Sequence, residues 1–269
     1  MKNAIFLLLS ALLILSLISC DNPSGGEKEE GGGEYDIVIN LTDGTVTGTV
    51  NNAAPNIRIT VTDETILIKG KTGGNNRSVV INTAKATEVS IDNGTEIRGS
   101  KYDEALTFYG NHMVTITGGG SDITIKGYDE GYNAVYSAGS LTLNGTFGSF
   151  SGGDFAEGKG GYGIRTVGGV IINGTTGSIS GGNSDIGDGG HGISTFGDVT
   201  ISGKTGVIKG GDSSAKDGGN GIDSDGTVTL NKNVPGVLAG TGGTAYAIVD
   251  DTNLYTTYQE FKNAKGYTW

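Results

Sequence analysis

The chain has 269 residues, of which 51 are glycine, three proline and one cysteine, and its formal net charge is −11. Each interior glycine costs a helix about 1 kcal/mol, so a mostly helical protein is excluded. Collagen is excluded by the missing Gly-X-Y period and the scarcity of proline, and a disulfide framework by the lone cysteine. The acid excess argues against nucleic acid as a partner, because binding phosphates needs basic patches.

Residues 1–19 read as a signal peptide. Lys2 supplies the charged start, and the apolar run from Ala4 to Ile18 is shorter than the ~20 residues that span a bilayer. Leu17-Ile18-Ser19-Cys20 resembles a bacterial lipobox. That resemblance implies cleavage before Cys20, diacylglyceryl modification of its sulfur and acylation of its amine, which anchors the mature chain in a membrane of the cell envelope, at the outer membrane and cell surface or on the periplasmic side. Asp21 to Glu34 offers no apolar residue beyond Pro23 to bury, so residues 20–34 are expected to be the lipidated cysteine and a flexible tether.

From about residue 35 the apolar residues begin to recur. Val89, Ile91 and Ile97 prefigure Val114, Ile116 and Ile123, and Ile66 and Ile68 precede Val89 and Ile91 by 23 residues. The period then locks. GGYGIRT from Gly160, GGHGIST from Gly189 and GGNGIDS from Gly218 are spaced by 29 residues, with YNAVYSA from Tyr132 one period earlier. Four apolar columns follow: Val135, Ile164, Ile193, Ile222; Leu141, Val170, Val199, Val228; Leu143, Ile172, Ile201, Leu230; and Phe150, Ile179, Ile208, Val237. The second and third columns lie two residues apart, which is the alternation of a strand. Gly139, Gly168, Gly197 and Gly226 form a glycine column, and Asn144, Asn173, Ser202 and Asn231 a polar ladder.

The expected fold is all-β: a right-handed parallel β-helix of seven or eight coils over residues 35–250, roughly 35 Å long at ~4.8 Å per coil. Open sheet ends need covering, and residues 251–269 supply a short amphipathic cap. Thr257 and Glu260 stand at capping-box spacing, Gly266 is a stop, Tyr255, Tyr258 and Phe261 share a face, and Trp269 helps to cover the last coil. Neither a nine-residue calcium-binding repeat nor a leucine-rich frame fits this spacing.

Two surface features carry chemistry. Carboxylates gather in the loops between repeats: Asp154 and Glu157, Asp185 and Asp188, Asp212 and Asp217, then Asp223 and Asp225. Asp188 and Asp217 are one period apart, so they stack on adjacent coils. Asp185, Asp188, Asp217, Asp223 and Asp225 are candidate ligands for Ca²⁺, a hard cation held by oxygens; a solvated acidic face is the plainer alternative. Tyr128, Tyr132, Tyr136 and Tyr162 are candidate ligand-binding residues, since exposed tyrosine combines an apolar face with a hydroxyl and can stack on sugar rings; packing around the coils is the plainer alternative. His112 and His191 have no evident partners, and no nucleophile triad is visible.

Tyr132-Asn133-Ala134-Val135-Tyr136-Ser137, Leu141-Thr142-Leu143-Asn144-Gly145, and the Gly163-Ile164, Gly192-Ile193 and Gly221-Ile222 pairs resemble the right-handed β-helix carbohydrate-binding domains of secreted and lipid-anchored bacterial proteins that bind cellulose and pectin-like polymers. The likeness covers about residues 60–250. It implies calcium-assisted binding of polysaccharide without catalysis. Family repeats carry an acid just before Gly-Ile, where this chain has Asn133, Tyr162, His191 and Asn220. The functional expectation is a monomeric, lipid-anchored β-helix that binds polysaccharide or surface glycan. The alternatives are a surface adhesin or spacer that binds protein partners and, less favoured, a polysaccharide lyase using Arg165.

Overall fold

The computed structural model describes residues 35–42, 44–47, 56–62, 64–72 and 76–269. The expected signal peptide, Cys20 and the expected tether therefore lie outside the described residues. Tyr35–Trp269 form one compact unit, and no helix among the described residues is long and apolar enough to cross a membrane.

Each 29-residue period is one coil of a parallel β-solenoid of about seven turns. The chain crosses two sheets in every coil. In the first lie Ile37–Asn40, Ile66–Lys69, Thr87–Ile91, Val114–Gly119, Leu141–Ser151, Val170–Ile172, Val199–Ile201 and Val228–Leu230, stacked in that order. In the second lie Ile57–Val61, Val79–Thr83, Leu106–Tyr109, Val135–Ser137, Ile164–Thr166, Ile193–Thr195, Ile222–Ser224 and Ile248–Asp250. A further limb of the first sheet runs through Glu96–Arg98, Thr124–Lys126, the end of Leu141–Ser151, Thr175–Ser180, Ile208–Lys209 and Val237–Leu238.

The four apolar columns become ladders in register. Val135 pairs with Ile164, Ile164 with Ile193 and Ile193 with Ile222. The Leu141, Leu143 and Phe150 columns stack in the same way, and every member is buried. Burying one such side chain contributes about 1.5–3 kcal/mol, so each coil is secured chiefly by its neighbours. The polar ladder forms too: Asn173 Nδ2 donates to Asn144 Oδ1 at 3.2 Å, and Ser202 Oγ to Asn173 Oδ1 at 2.7 Å.

One expected register is corrected. Val89 lies opposite Ile116 rather than Val114, Ile91 opposite Gly118, and Ile97 opposite Ile125 rather than Ile123. A slip of two residues keeps every side chain on its own face of the sheet, so hydrophobic alternation alone could not fix it. The glycine opposite Ile91 is used by the following coil. A Cβ on Gly118 would lie 2.7 Å from the Phe147 ring, and Phe147 is buried against Phe150 with ring centroids 5.3 Å apart. Gly118 leaves its slot empty, and Phe147 fills it.

The glycine columns are required by close approach. A Cβ on Gly190 would lie 1.9 Å from the Gly161 carbonyl oxygen of the coil before, and the next member of the column, Gly219, is as crowded at 1.8 Å from Gly190. Neither has a positive φ. These glycines serve as contact points between backbones as well as corners.

The C-terminal end is closed in three ways. Asn253–Tyr255 adds an antiparallel strand to Ile248–Asp250. The buried Asp250 carboxylate accepts the Val228 N–H at 2.6 Å and pairs with Lys265 Nζ at 2.6 Å, giving the last strand of the first sheet an acceptor where no further coil follows. Helix Tyr258–Ala264 lies beside them, with the capping box between Thr257 and Glu260 closed and Phe261 buried. Tyr258 donates to the Val234 carbonyl, and Trp269 stacks on Tyr267.

Candidate functional site

The outer face of the second sheet carries one column of side chains, a second stands at the ends of its strands, and a third just before them. Strand alternation turns Ile164 and Thr166 inward and Arg165 outward. The register then lines up Tyr136, Arg165, Ser194 and Asp223. At the strand ends or just past them, at the same period, stand Tyr109, Ala138, Val167, Phe196 and Asp225.

The column before the strands is Glu104, Asn133, Tyr162, His191, Asn220 and Tyr246, and much of it is a hydrogen-bond ladder. A side-chain acceptor on one coil takes the backbone N–H of the same column position on the next. Glu104 accepts the Asn133 N–H, Asn133 Oδ1 the Tyr162 N–H at 2.8 Å, His191 Nδ1 the Asn220 N–H at 2.8 Å, and Asn220 Oδ1 the Tyr246 N–H at 2.9 Å. Tyr162 cannot serve in this way, and its ring instead stacks on His191 at 5.0 Å and 7°.

His191 is thereby given a structural task that its surroundings in sequence did not suggest. Accepting at Nδ1 fixes the tautomer with the proton on Nε2, and Nε2 lies 3.3 Å from Asp223 Oδ2. Burial pushes its pKa down to about 4; Asp223 and Asp188 oppose the shift, while Lys159 and Arg165 add to it. Glu104 at the far end of the ladder behaves oppositely. Burial raises its pKa to about 7, against the hydrogen bonds from Asn133 and the charge of Arg165. Extending the 29-residue column backward from Asn133 would have exposed Glu104 in the sequence.

The predicted tyrosines do not form one platform. Tyr128 and Tyr132 pack edge to face at 6.4 Å, and Tyr136 packs against Tyr109 at 6.2 Å. Tyr162 is covered by His191, with Lys159 Nζ 5.1 Å and the Arg165 guanidinium 5.3 Å from its ring centre. Widely exposed rings are Tyr102, at 77%, Phe196, at 62%, and Tyr109, at 44%. The signal for Phe196 in the sequence is its place in the 29-residue register, where Ala138, Val167 and Asp225 stand at the equivalent positions.

The five aspartates also separate. Asp185 and Asp225 are exposed. Asp223 is turned onto His191, and Asp217 Oδ1 accepts the Thr244 N–H at 2.6 Å. Asp154 and Asp212, in the same loops, each accept a backbone N–H from the next coil at 2.7 Å. Loop carboxylates here act as coil-to-coil acceptors. Among the described residues no three His, Cys, Asp or Glu side chains gather to hold a metal. Asp188 and Asp217 do border one open cleft of about 220 Å³, together with Lys159, His191, Asn220, Thr244 and Tyr246. Arg165 is two strands from Asp223 in register, or ~10 Å between backbones.

Comparison of the chain with protein-family models, curated proteins and solved structures returns no match.

Proposed function

We propose that this chain is a non-catalytic glycan-binding solenoid, tethered to a cell-envelope membrane through Cys20. The polysaccharide would lie on the outer face of the second sheet, without a requirement for calcium. The observation that carries this reading is Phe196. A large aromatic ring, 62% exposed, stands just past the end of a strand of the second sheet, one period from Val167, with Ser194 and Arg165 outward on the adjacent column. An exposed ring offers a sugar an apolar stacking surface, and the neighbouring hydroxyl and guanidinium offer hydrogen bonds to its oxygens. Tyr136 and Tyr109 extend the face by two coils.

The test is co-sedimentation of the full chain with insoluble polysaccharides, with calcium and with a chelator. Retention that survives chelation and falls about tenfold or more in Phe196→Ala is expected, since covering a phenylalanine side chain is worth about 1.5–3 kcal/mol. Absence of retention on every polysaccharide sinks the reading. The apolar Val167–Phe196 pair would also seat a protein surface, and cross-linking on intact cells separates that adhesin reading by returning a protein.

A further inference from the structure

The cleft bordered by Asp188 and Asp217 is distinct in composition from the aromatic face, and glycan binding makes no use of it. It carries charges of both signs. Among the described residues Lys126, Lys209 and Lys265 each reach a carboxylate at 2.6–2.9 Å. Lys159 makes no such pair, although two aspartates share its cleft, and it lies over the Tyr162 ring instead. Opposite charges that border one cleft without meeting leave room for a molecule that meets both.

The rest of the lining has little left to offer a competing partner. His191 has both nitrogens engaged, and Asn220 donates to Asp223 and accepts from Tyr246. Asp217 has one oxygen fixed by Thr244 N–H, which orients the other. Tyr246 adds an aromatic wall. The volume of about 220 Å³ lies below the range typical of drug-sized ligands.

We propose that this cleft binds a small zwitterion of amino-acid or dipeptide size, its ammonium between Asp188 and Asp217 and its carboxylate on Lys159. The proposal goes beyond the glycan reading and is independent of Phe196.

Calorimetry on the full chain in detergent, with glycylglycine as the probe, tests it. Acetylating the peptide's amine or amidating its carboxylate should each weaken binding about ten- to a hundredfold, the worth of a charge-assisted hydrogen bond. In the double variant Asp188→Asn/Asp217→Asn, acetylation should cease to matter; the amide oxygen introduced at position 217 can still accept the Thr244 N–H. In Lys159→Met, amidation should cease to matter. Binding of polysaccharide by both variants should be unchanged, so the two readings fail separately. No saturable binding of glycylglycine at millimolar concentration, or equal binding of the blocked peptides to the unaltered chain, overturns the proposal, whatever the variants do.

Discussion

Glu104 and His191 make opposite demands on pH, and single substitutions should uncover them. The folded-state pKa of Glu104 is about 7 against an ordinary 4.5. Its contribution to stability is complete below 4.5 and is lost as pH rises through 7. The folded-state pKa of His191 is about 4 against 6.5. Its contribution is complete above 6.5 and is lost as pH falls through 4. Either displacement corresponds to about 3 kcal/mol. Between pH 4.5 and 6.5 the two slopes cancel, so this pair leaves the unaltered chain nearly indifferent to pH there. In Glu104→Gln only the histidine slope remains, and stability should climb by about 3 kcal/mol from pH 4.5 to 6.5. In His191→Asn the slope reverses, falling by about the same amount from pH 4.5 to 7. Asparagine suits the site, because Asn133 and Asn220 already serve as acceptors in this column. Urea unfolding followed by circular dichroism at half-unit pH steps gives the curves. Exposed carboxylates are common to all three proteins and drop out of the differences. Parallel curves for the three would refute the burial argument.

Other substitutions test the coil contacts. Gly190→Ala should cost about 3 kcal/mol, because its Cβ would meet the Gly161 backbone, whereas Gly236→Ala, with nothing within 4 Å, should stay within about 0.5 kcal/mol; chemical denaturation compares them. Asp250→Ala leaves the Val228 N–H and Lys265 without their acceptor, and should cost about 3 kcal/mol, seen first as faster amide exchange in Val228–Leu230. Ile193→Ala removes a fully buried rung and should cost about 2–5 kcal/mol, with unfolding that begins at the coils flanking it.

The fold was legible because a solenoid writes its structure into the sequence at one fixed spacing. The Ile164, Val170, Ile172 and Ile179 positions recur at 29 residues, and adjacent coils can bury them only by stacking in register. The cap was legible for a local reason: Thr257, Glu260 and Gly266 form a helix start and stop within ten residues. The site was legible only in part. Tyr136 and Arg165 face outward as strand alternation requires, but alternation does not say which rings pair. Tyr162 is a covered ring because the next coil brings His191 beneath it, while Phe196 remains open. Of the five candidate aspartates, Asp217 accepts a backbone N–H, Asp223 faces His191, and Asp185 and Asp225 are exposed, because each placement depends on what the next coil brings to the loop.

The sequence by itself determined the period, the inward columns and the positions where a coil must turn, because these depend on repetition and on which side chains leave water. The tertiary structure decided the register of the early coils, where a two-residue slip preserves every facing and alternation leaves the choice open. It also decided the ionisation of His191 and Glu104, because desolvation depends on what the neighbouring coils bring together. The glycine count belongs to both. Its spacing is visible in the chain, but the reason for it, two backbones too close for a Cβ, exists only once the coils are stacked.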